Sequence, residues 1–365
     1  MKHTELAIVG GGPAGLSAAI EAARAGVQVT LIDENDRPGG QLFKQIHKFF
    51  GSKDHYAGTR GIDIGKNLLR EVAECGAEVQ LQSVVYGIFK DHTLGIIQDN
   101  KNTLLKADRI IVATGAVENA LVFPGWELAG VMGAGAIQTM VNVHRVLPGK
   151  RILMVGSGNV GLIVSYQLLQ AGAEVVGIVE AAPRLGGYAV HAGKVRRRGV
   201  PIYVSTTVKR AIGSEQVEQA ELVSLDEAWK PIPGTEQLVD VDVICLACGL
   251  TPLSELLWMA GAEFSYIPQL GGHLAHHDPD METTIPGLYV AGDVAGVEEA
   301  STAIEEGRLA GVAAAESLGK LGALEAKARK EAIWQRLNDL RAGPFGEGRK
   351  EAKEKLMYGG GQWRY

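Results

Sequence analysis

The chain is poor in cysteine, with three in 365 residues, at positions 75, 245 and 248. So small and odd a number excludes a disulfide framework and points to a reducing compartment, the cytoplasm. It also excludes an iron–sulfur cluster ligated by this chain alone, which would take about four thiolates; everything after Cys248 is free of cysteine. Dense basic sequence is equally scarce. With 36 Lys and Arg against 42 Asp and Glu and a net charge of −6, no phosphate-neutralising surface is expected, so nucleic acid is not a partner. The one dense basic run, Arg196, Arg197 and Arg198 after His191, reads as a solvated helix face, although arginines of this kind also serve NADP sites. No run of about 18 or more uncharged apolar residues exists, so no membrane span is expected. The opening MKHTELAIVGGG enters an apolar strand within a few residues and leaves no room for a signal peptide. Nothing pairs a nucleophile with its base, so no catalytic side chain is assigned.

Glycine, by contrast, is abundant: 48 residues, about 13 per cent against the usual 7 per cent or so. Its placement is informative. Apolar β-branched runs such as ELAIVG, VQVTLID, RILMVG and AEVVGIVE alternate with alanine- or leucine-rich segments of helical length, the pattern of parallel βαβ units. At an offset of 146, Gly10, Gly12, Gly15, Ala25 and Gly26 fall on Gly156, Gly158, Gly161, Ala171 and Gly172. The expectation is an α/β fold with two Rossmann-like dinucleotide-binding domains built alike.

The glycines of GxGxxG act separately. The first makes the strand-to-helix turn, the second admits a pyrophosphate, and the third packs helix on strand. The pyrophosphate then meets unpaired N–H groups at the helix N-terminus, opened here by Pro13 and Ala14 in GGGPAG and by Asn159 and Val160 in SGNVG. An acid after the next strand should hold ribose hydroxyls. Asp33, with Glu34 beside it, stands there in the first unit and Glu180 in the second. A carboxylate repels a 2′-phosphate, so the second site should prefer NAD over NADP.

GGGPAG, then RPGGQLF after Asp33, RIIVATGA at 109–116 and IPGLYVAGDVAGVEEASTAIEEG at 285–307 together resemble the two-dinucleotide-domain flavoprotein reductases, in particular the thioredoxin-reductase-like branch. The resemblance covers roughly residues 5–318. It implies that Gly10, Gly12 and Gly15 bind the FAD diphosphate, that Gly39, Gly40, Gln41 and Leu42 lie along the flavin, and that Ala113, Thr114 and Gly115 mark the exit from the FAD domain. It further implies that Gly292 and Asp293 carry a carboxylate to the ribityl chain. A helix starting near Ala300 and Ser301 would turn its positive end toward the flavin N1 and C2 carbonyl, stabilising the reduced anion; the same alanine also reads as an ordinary helical residue. The implied architecture is a split FAD-type domain, 1–117 and 252–325, with the NAD-type domain 118–251 inserted and a helix and tail at 326–365.

In thioredoxin reductases the working CxxC lies early in the inserted domain, where this chain reads GVMGAGAIQTMV. Its own CxxC, Cys245 and Cys248, falls instead on the last strand of that domain. Extended residues three apart point to opposite faces, so the pair reads as small apolar filler and a disulfide-reductase function is not expected.

A nearer resemblance rests on GGQLFKQIHKFFGSKDHYAGTRGIDIG, VEAAPRLGGYAVHAGKVRRRGV and AGDVAGVEEASTAIEEGRLAG. These are similar to the α-type subunits of heteromeric amine and imino-acid oxidoreductases: sarcosine oxidase, dye-linked proline dehydrogenase, opine oxidases and hydrogen cyanide synthase. The resemblance implies an FAD-dependent electron-accepting subunit, with NAD as a further ligand, in a hetero-oligomer with a second, β-type flavoprotein that oxidises the C–N bond. A self-sufficient NADH-dependent flavin reductase and a nucleotide-binding scaffold without turnover are the alternatives.

Three further stretches each admit two readings. Lys44, His47, Lys48, Phe49 and Phe50 form either a docking surface for a redox partner or a plain basic loop. His273, His276 and His277 invite a metal reading, but a hairpin there would splay the imidazoles into solvent, so no metal is expected. Ile333, Trp334, Leu337 and Leu340 make a helical stripe before a glycine-rich end with Trp363 and Tyr365; the tail either docks on another chain or packs on its own domain.

Overall fold

A computed structural model describes residues 2–343 and 346–358, which fall into two compact units: 2–117 with the described residues from 250 onward, and 118–249. In chain order the first unit begins with β1 (Lys2–Val9), α1 (Pro13–Arg24), β2 (Val29–Ile32), α2 (Gly61–Glu74), β3 (Glu78–Gln80), β4 (Ser83–Ile88), β5 (Thr93–Gln98) and β6 (Lys101–Val112). The second unit holds β7 (Val131–Gly133), α3 (Ala134–Gln138), β8 (Arg151–Val155), α4 (Asn159–Ala171), β9 (Glu174–Val179), α5 (Ala189–Arg196), β10 (Ile202–Tyr203), β11 (Thr206–Ile212), β12 (Gln219–Ser224), β13 (Gln237–Asp240) and β14 (Val243–Leu246). The first unit then resumes with α6 (Glu255–Ala260), β15 (Phe264–Ile267), β16 (Gly272–Ala275), β17 (Leu288–Val290), α7 (Ala300–Ser317), α8 (Ala323–Leu340) and α9 (Glu347–Tyr358).

The first unit is built on the sheet β3-β2-β1-β6-β5-β4, with β17 on β6. Its β1, β2, β3 and β17 pair in parallel, and β4, β5 and β6 form an antiparallel meander. β6 is long enough to serve both: residues 101–106 pair with β5, while 110–112 pair with β17. Leu6, Ala7, Ile8, Ile110 and Ile111 are fully buried, as expected for strands covered on both faces. The second unit carries the wholly parallel sheet β10-β9-β8-β14-β7 and the antiparallel three-stranded β11-β12-β13. In both sheets the strand that feeds the glycine-rich turn is flanked by the next strand of its βαβ unit on one side and a later strand on the other. This reversal of strand order is where open α/β sheets bind ligands.

Helices α1 and α7 cross with their backbones nearly touching. A Cβ on Gly307 would lie 2.1 Å from the Ala14 carbonyl oxygen, and one on Gly311 2.5 Å from that of Ala18. Glycine and alanine at the crossing allow that approach, which sets α7 firmly beside the start of α1.

Candidate functional site: two matched nucleotide cradles

In the first unit β1 ends at Val9 and α1 starts at Pro13, leaving Gly10–Gly12 as the turn. Gly10 has a φ of +106°, and a Cβ on it would lie 2.3 Å from the Ala113 carbonyl oxygen. A Cβ on Gly15 would lie 1.9 Å from the Gly10 carbonyl oxygen, whereas one on Gly12 would meet no atom within 4 Å. Two of the glycines are thus fixed by packing, and the middle one leaves open room at the helix N-terminus. Asp33 closes the turn from the side: Oδ2 accepts the Gly11 amide at 2.5 Å and Oδ1 accepts the Asn35 amide at 2.8 Å. Glu34 is exposed and takes no part in this arrangement. The Gly39 amide donates to the Gly11 carbonyl at 2.7 Å, and a Cβ on Gly40 would lie 2.8 Å from the Gly12 Cα. Leu42 is buried beneath, and Gln41 is exposed.

The second stretch of this unit reaches the same place. Gly292 stands against Ala14, where a Cβ would come within 2.8 Å of the Ala14 Cβ, so Asp293 is brought next to the glycine turn. Asp293 receives one long hydrogen bond, from the Glu298 amide at 3.4 Å. Burial raises its pKa from 3.8 to about 6, with Glu306 adding to the rise and Lys353 opposing it. A carboxylate so poorly supplied with donors suits a hydroxyl-bearing ligand. Thr114 donates to the Leu253 carbonyl at 2.7 Å, and the Leu253 amide donates to the Gly115 carbonyl at 2.9 Å, tying the two stretches of the unit together. Ala113 is buried; Ala300 opens α7, and Ser301 is buried in its first turn.

The second unit repeats the construction. Gly156 has a φ of +104°, and a Cβ there would lie 2.3 Å from the Ala247 carbonyl oxygen; one on Gly161 would lie 2.2 Å from the Gly156 carbonyl oxygen, and one on Gly158 would meet nothing within 4 Å. Glu180 Oε2 accepts from the Ser157 amide at 2.9 Å and its hydroxyl at 2.6 Å, while Oε1 accepts the Ala182 amide at 3.0 Å. Asn159 opens α4 and accepts the Tyr188 amide at 2.9 Å; Val160 is exposed. The repeat runs beyond the glycines and acids. RPGGQ at 37–41 returns as RLGGY at 184–188, and the Gly187 amide donates to the Ser157 carbonyl at 2.9 Å, one place further along the motif than the bond from Gly39 to Gly11. Gly186 and Gly187 therefore adjoin the second turn although they lie outside the fingerprint, and the signal for them is the recurring RxGG; Gly11 and Ser157 are the variable positions inside it.

Cys245 and Cys248 are both free, and Cys75 is too. Cys245 is fully buried on β14 in the cluster that holds the side chains of α3 and α4, whereas Cys248, past the strand end, packs on a different cluster, its thiol 3.9 Å from the Val155 carbonyl. Burial pushes the Cys245 thiol well up and the Cys248 thiol to about 11. Both stay protonated at neutral pH, so neither is a nucleophile.

Two expectations are corrected. His276 and His277 do not splay into solvent. Both are buried, His276 hydrogen-bonded to Ser265 at 2.7 Å and His277 through Nδ1 to the Asp278 carbonyl at 2.9 Å; only His273 is exposed. Burial, with Lys353 nearby, lowers the His277 pKa to about 4 and keeps it neutral. Phe49 is no docking residue: it is buried in the core, stacked on His47 at 5.7 Å, because the loop folds it inward; Phe50 and Lys48 are exposed. As for the tail, Ile333 and Leu337 are buried in the core of the first unit and the Trp334 indole donates to the Pro279 carbonyl at 3.1 Å, with Leu340 half-buried. The described part of the tail packs on its own unit. Trp363 and Tyr365 lie outside the described residues. Arg196, Arg197 and Arg198 are exposed at the end of α5, and His191 is buried. No helix among the described residues is long and apolar enough to cross a membrane.

Known proteins share this plan. Hydrogen cyanide synthase subunit HcnB of Pseudomonas aeruginosa is 28% identical over 354 residues, covering 92% of this chain and 75% of that protein. The A-type subunit of opine oxidase from Agrobacterium tumefaciens is 29% identical over 338 residues, covering 85% of this chain and 65% of that protein. This chain therefore spans only 65% to 75% of the length of these relatives. Among solved structures, thioredoxin reductase of T. acidophilum superposes with a TM-score of 0.72 at 21% identity, covering 87% of this chain and 99% of that one. The sequence matches the family described as "Pyridine nucleotide-disulphide oxidoreductase" over residues 4–307, and the chain, with its two Rossmann-like cradles, belongs to that family of FAD-dependent, pyridine-nucleotide-linked oxidoreductases.

Proposed function

We propose that this chain is the electron-relaying flavoprotein component of a complex that oxidises an amine or amino acid, working beside a second flavoprotein in the cytoplasm. The observation that carries the reading is the state of the thiols. Cys245 and Cys248 are protonated and packed with different neighbours, so the dithiol chemistry that gives the family its name has no residues here. What stays is a pair of nucleotide cradles, and both HcnB and the opine oxidase relative are, by name, subunits of larger enzymes.

The residues of the first unit fit FAD. The open ground above Gly12 at the N-terminus of α1 takes the diphosphate, Asp33 takes ribose hydroxyls, and Asp293 takes a ribityl hydroxyl. The start of α7, at Ala300 and Ser301, lends partial positive charge to the pyrimidine edge. Bound FAD supplies the two-electron redox chemistry that no side chain here offers. In the second unit, Gly156, Gly158, Gly161 and Glu180 fit an NAD-type dinucleotide. This favours a second reading, an NADH-dependent flavin reductase, in which that nucleotide is the electron donor.

One set of measurements separates the two. The chain is purified from its native cell, its co-purifying proteins and released nucleotides are identified, and NADH is added to the isolated chain. The relay reading expects a second flavoprotein and amine oxidation only with both chains present. Rapid bleaching of the isolated chain by NADH, with no partner, supports the reductase. Oxidation of sarcosine, proline or an opine by the isolated chain at the rate of the complex overturns the relay reading.

A further inference from the structure

The family match ends at residue 307, yet the turn that carries Asp293 is gripped from beyond it. Glu306, on α7, accepts the Gly292 amide through Oε2 at 3.0 Å. Its other oxygen lies 2.6 Å from both Arg341, at the end of α8, and Lys353, on α9. Lys353 also donates to the Ala295 carbonyl at 2.9 Å, and Arg341 makes a forked pair with Glu298 at 2.5–3.1 Å. The residues 292–298 are thus held at the Gly292 amide, the Ala295 carbonyl and the Glu298 carboxylate. Two of the three holds come directly from the C-terminal helices, and the third comes through Glu306, which those helices neutralise.

All four charges are inside the protein. Lys353 is 1% exposed and Arg341 4%, and the Glu298 and Glu306 side chains are 4% and 3% exposed. Buried charges of this kind persist only when paired, and removing one partner leaves the other costly. Hydrophobic contacts seat the helices independently of the charges: Ala352 and Leu356 pack with Ile267, Leu270 and Leu274, and Ile333 and Leu337 enter the main core. The ion cluster is therefore not what merely keeps α8 and α9 attached. It sits where it can fix the shape and charge of the Asp293 turn.

We infer that Lys353 and Arg341 are positioning residues of the flavin site, so that the C-terminal helices complete the turn that presents Asp293 to the cofactor. This rests on Asp293 being the ribityl ligand. The groups facing Asp293 are Glu298 from its own segment, Glu306 from α7 and Lys353 from α9; Lys353 is the cation among them, and it favours the ionised carboxylate.

The test uses the full chain stripped of flavin and titrated with FAD by fluorescence between pH 5 and 8, with far-UV circular dichroism and thermal melting of each apoprotein as folding controls. Lys353→Met is expected to fold, to bind FAD at least tenfold more weakly than wild type, and to move the pH midpoint of binding upward, because the cation opposing protonation of Asp293 is gone. A helix that only packed would leave that midpoint where it is. Should Lys353→Met fail to fold, Lys353→Met/Glu306→Gln leaves no charge of that pair unpartnered, and the same tenfold weakening is expected. A folded variant of either kind with wild-type affinity and midpoint overturns the inference alone. A wild-type chain that binds no FAD overturns it together with the assignment of Asp293.

Discussion

Glu180 takes two hydrogen bonds from a single residue, Ser157: one from the amide at 2.9 Å and one from the hydroxyl at 2.6 Å. With the Ala182 amide on its other oxygen, the carboxylate is fixed at the mouth of the second cradle. A 2′-phosphate there would meet a like charge, worth about 4 kcal/mol at ~4 Å and an effective dielectric near 20, less where solvent screens it. Titration with both nucleotides is expected to show NADH preferred by at least about tenfold, or roughly 1.4 kcal/mol, and Glu180→Ala to narrow the gap. Equal wild-type binding of NADH and NADPH would remove the placement of this site.

The glycines of each cradle separate folding from binding. A Cβ at Gly12 or Gly158 meets no atom within 4 Å, and both residues have ordinary φ values, −75° and −65°. Gly12→Ala and Gly158→Ala are expected to melt within about 0.5 kcal/mol of wild type, as neutral substitutions do, while FAD and NADH respectively bind at least tenfold more weakly. Gly15→Ala, with its Cβ 1.9 Å from the Gly10 carbonyl oxygen, is expected to yield little folded protein. Calorimetry beside ligand titration distinguishes the two classes.

Burial carries the Asp293 pKa from 3.8 to about 6, and the sign of the consequence is fixed. Between about pH 4 and 6 the folded apoprotein holds a proton that the unfolded chain has released, so this group's contribution to stability is lost as pH rises through that window. Ribityl hydroxyls donating to the carboxylate favour the ionised form. FAD affinity is therefore expected to rise as pH passes about 6, and Asp293→Asn to bind more weakly with a flatter profile. A wild-type affinity that is level from pH 5 to 8 would contradict the role of Asp293.

Cys245 and Cys248 are expected to be redox-silent. Replacing both by alanine should leave the number of electrons taken up per flavin unchanged in an anaerobic titration, and the native thiols should react with a disulfide reagent only slowly before unfolding. Cys245→Ser alone is expected to cost about 1–3 kcal/mol of stability, because it buries a hydroxyl without a partner. Loss of two titratable electrons in the double variant would restore a working dithiol.

The sequence by itself determined the α/β class and the two Rossmann-like folds, because each GxGxxG is a local requirement. Strand, turn and helix lie within about 30 residues, and the steric demand on Gly15, met by the Gly10 carbonyl, is written in its own neighbourhood, whereas Gly10 is met by the distant Ala113. The acids Asp33 and Glu180 were legible for the same reason. What the sequence left open was set by contacts between distant segments. Phe49 and Phe50 are adjacent and alike, yet one is core and the other exposed, since the loop's path alone decides which side chain turns inward. His273 and His276 differ in the same way on a hairpin and its continuation. The hold on Asp293 was the least legible of all. It joins Glu306 to Lys353 across 47 positions, and a lysine in a charged helix has the same local signature whether it faces water or a buried carboxylate. Only the tertiary structure, by packing α9 against the β15–β16 hairpin, could place that ammonium group beneath the turn.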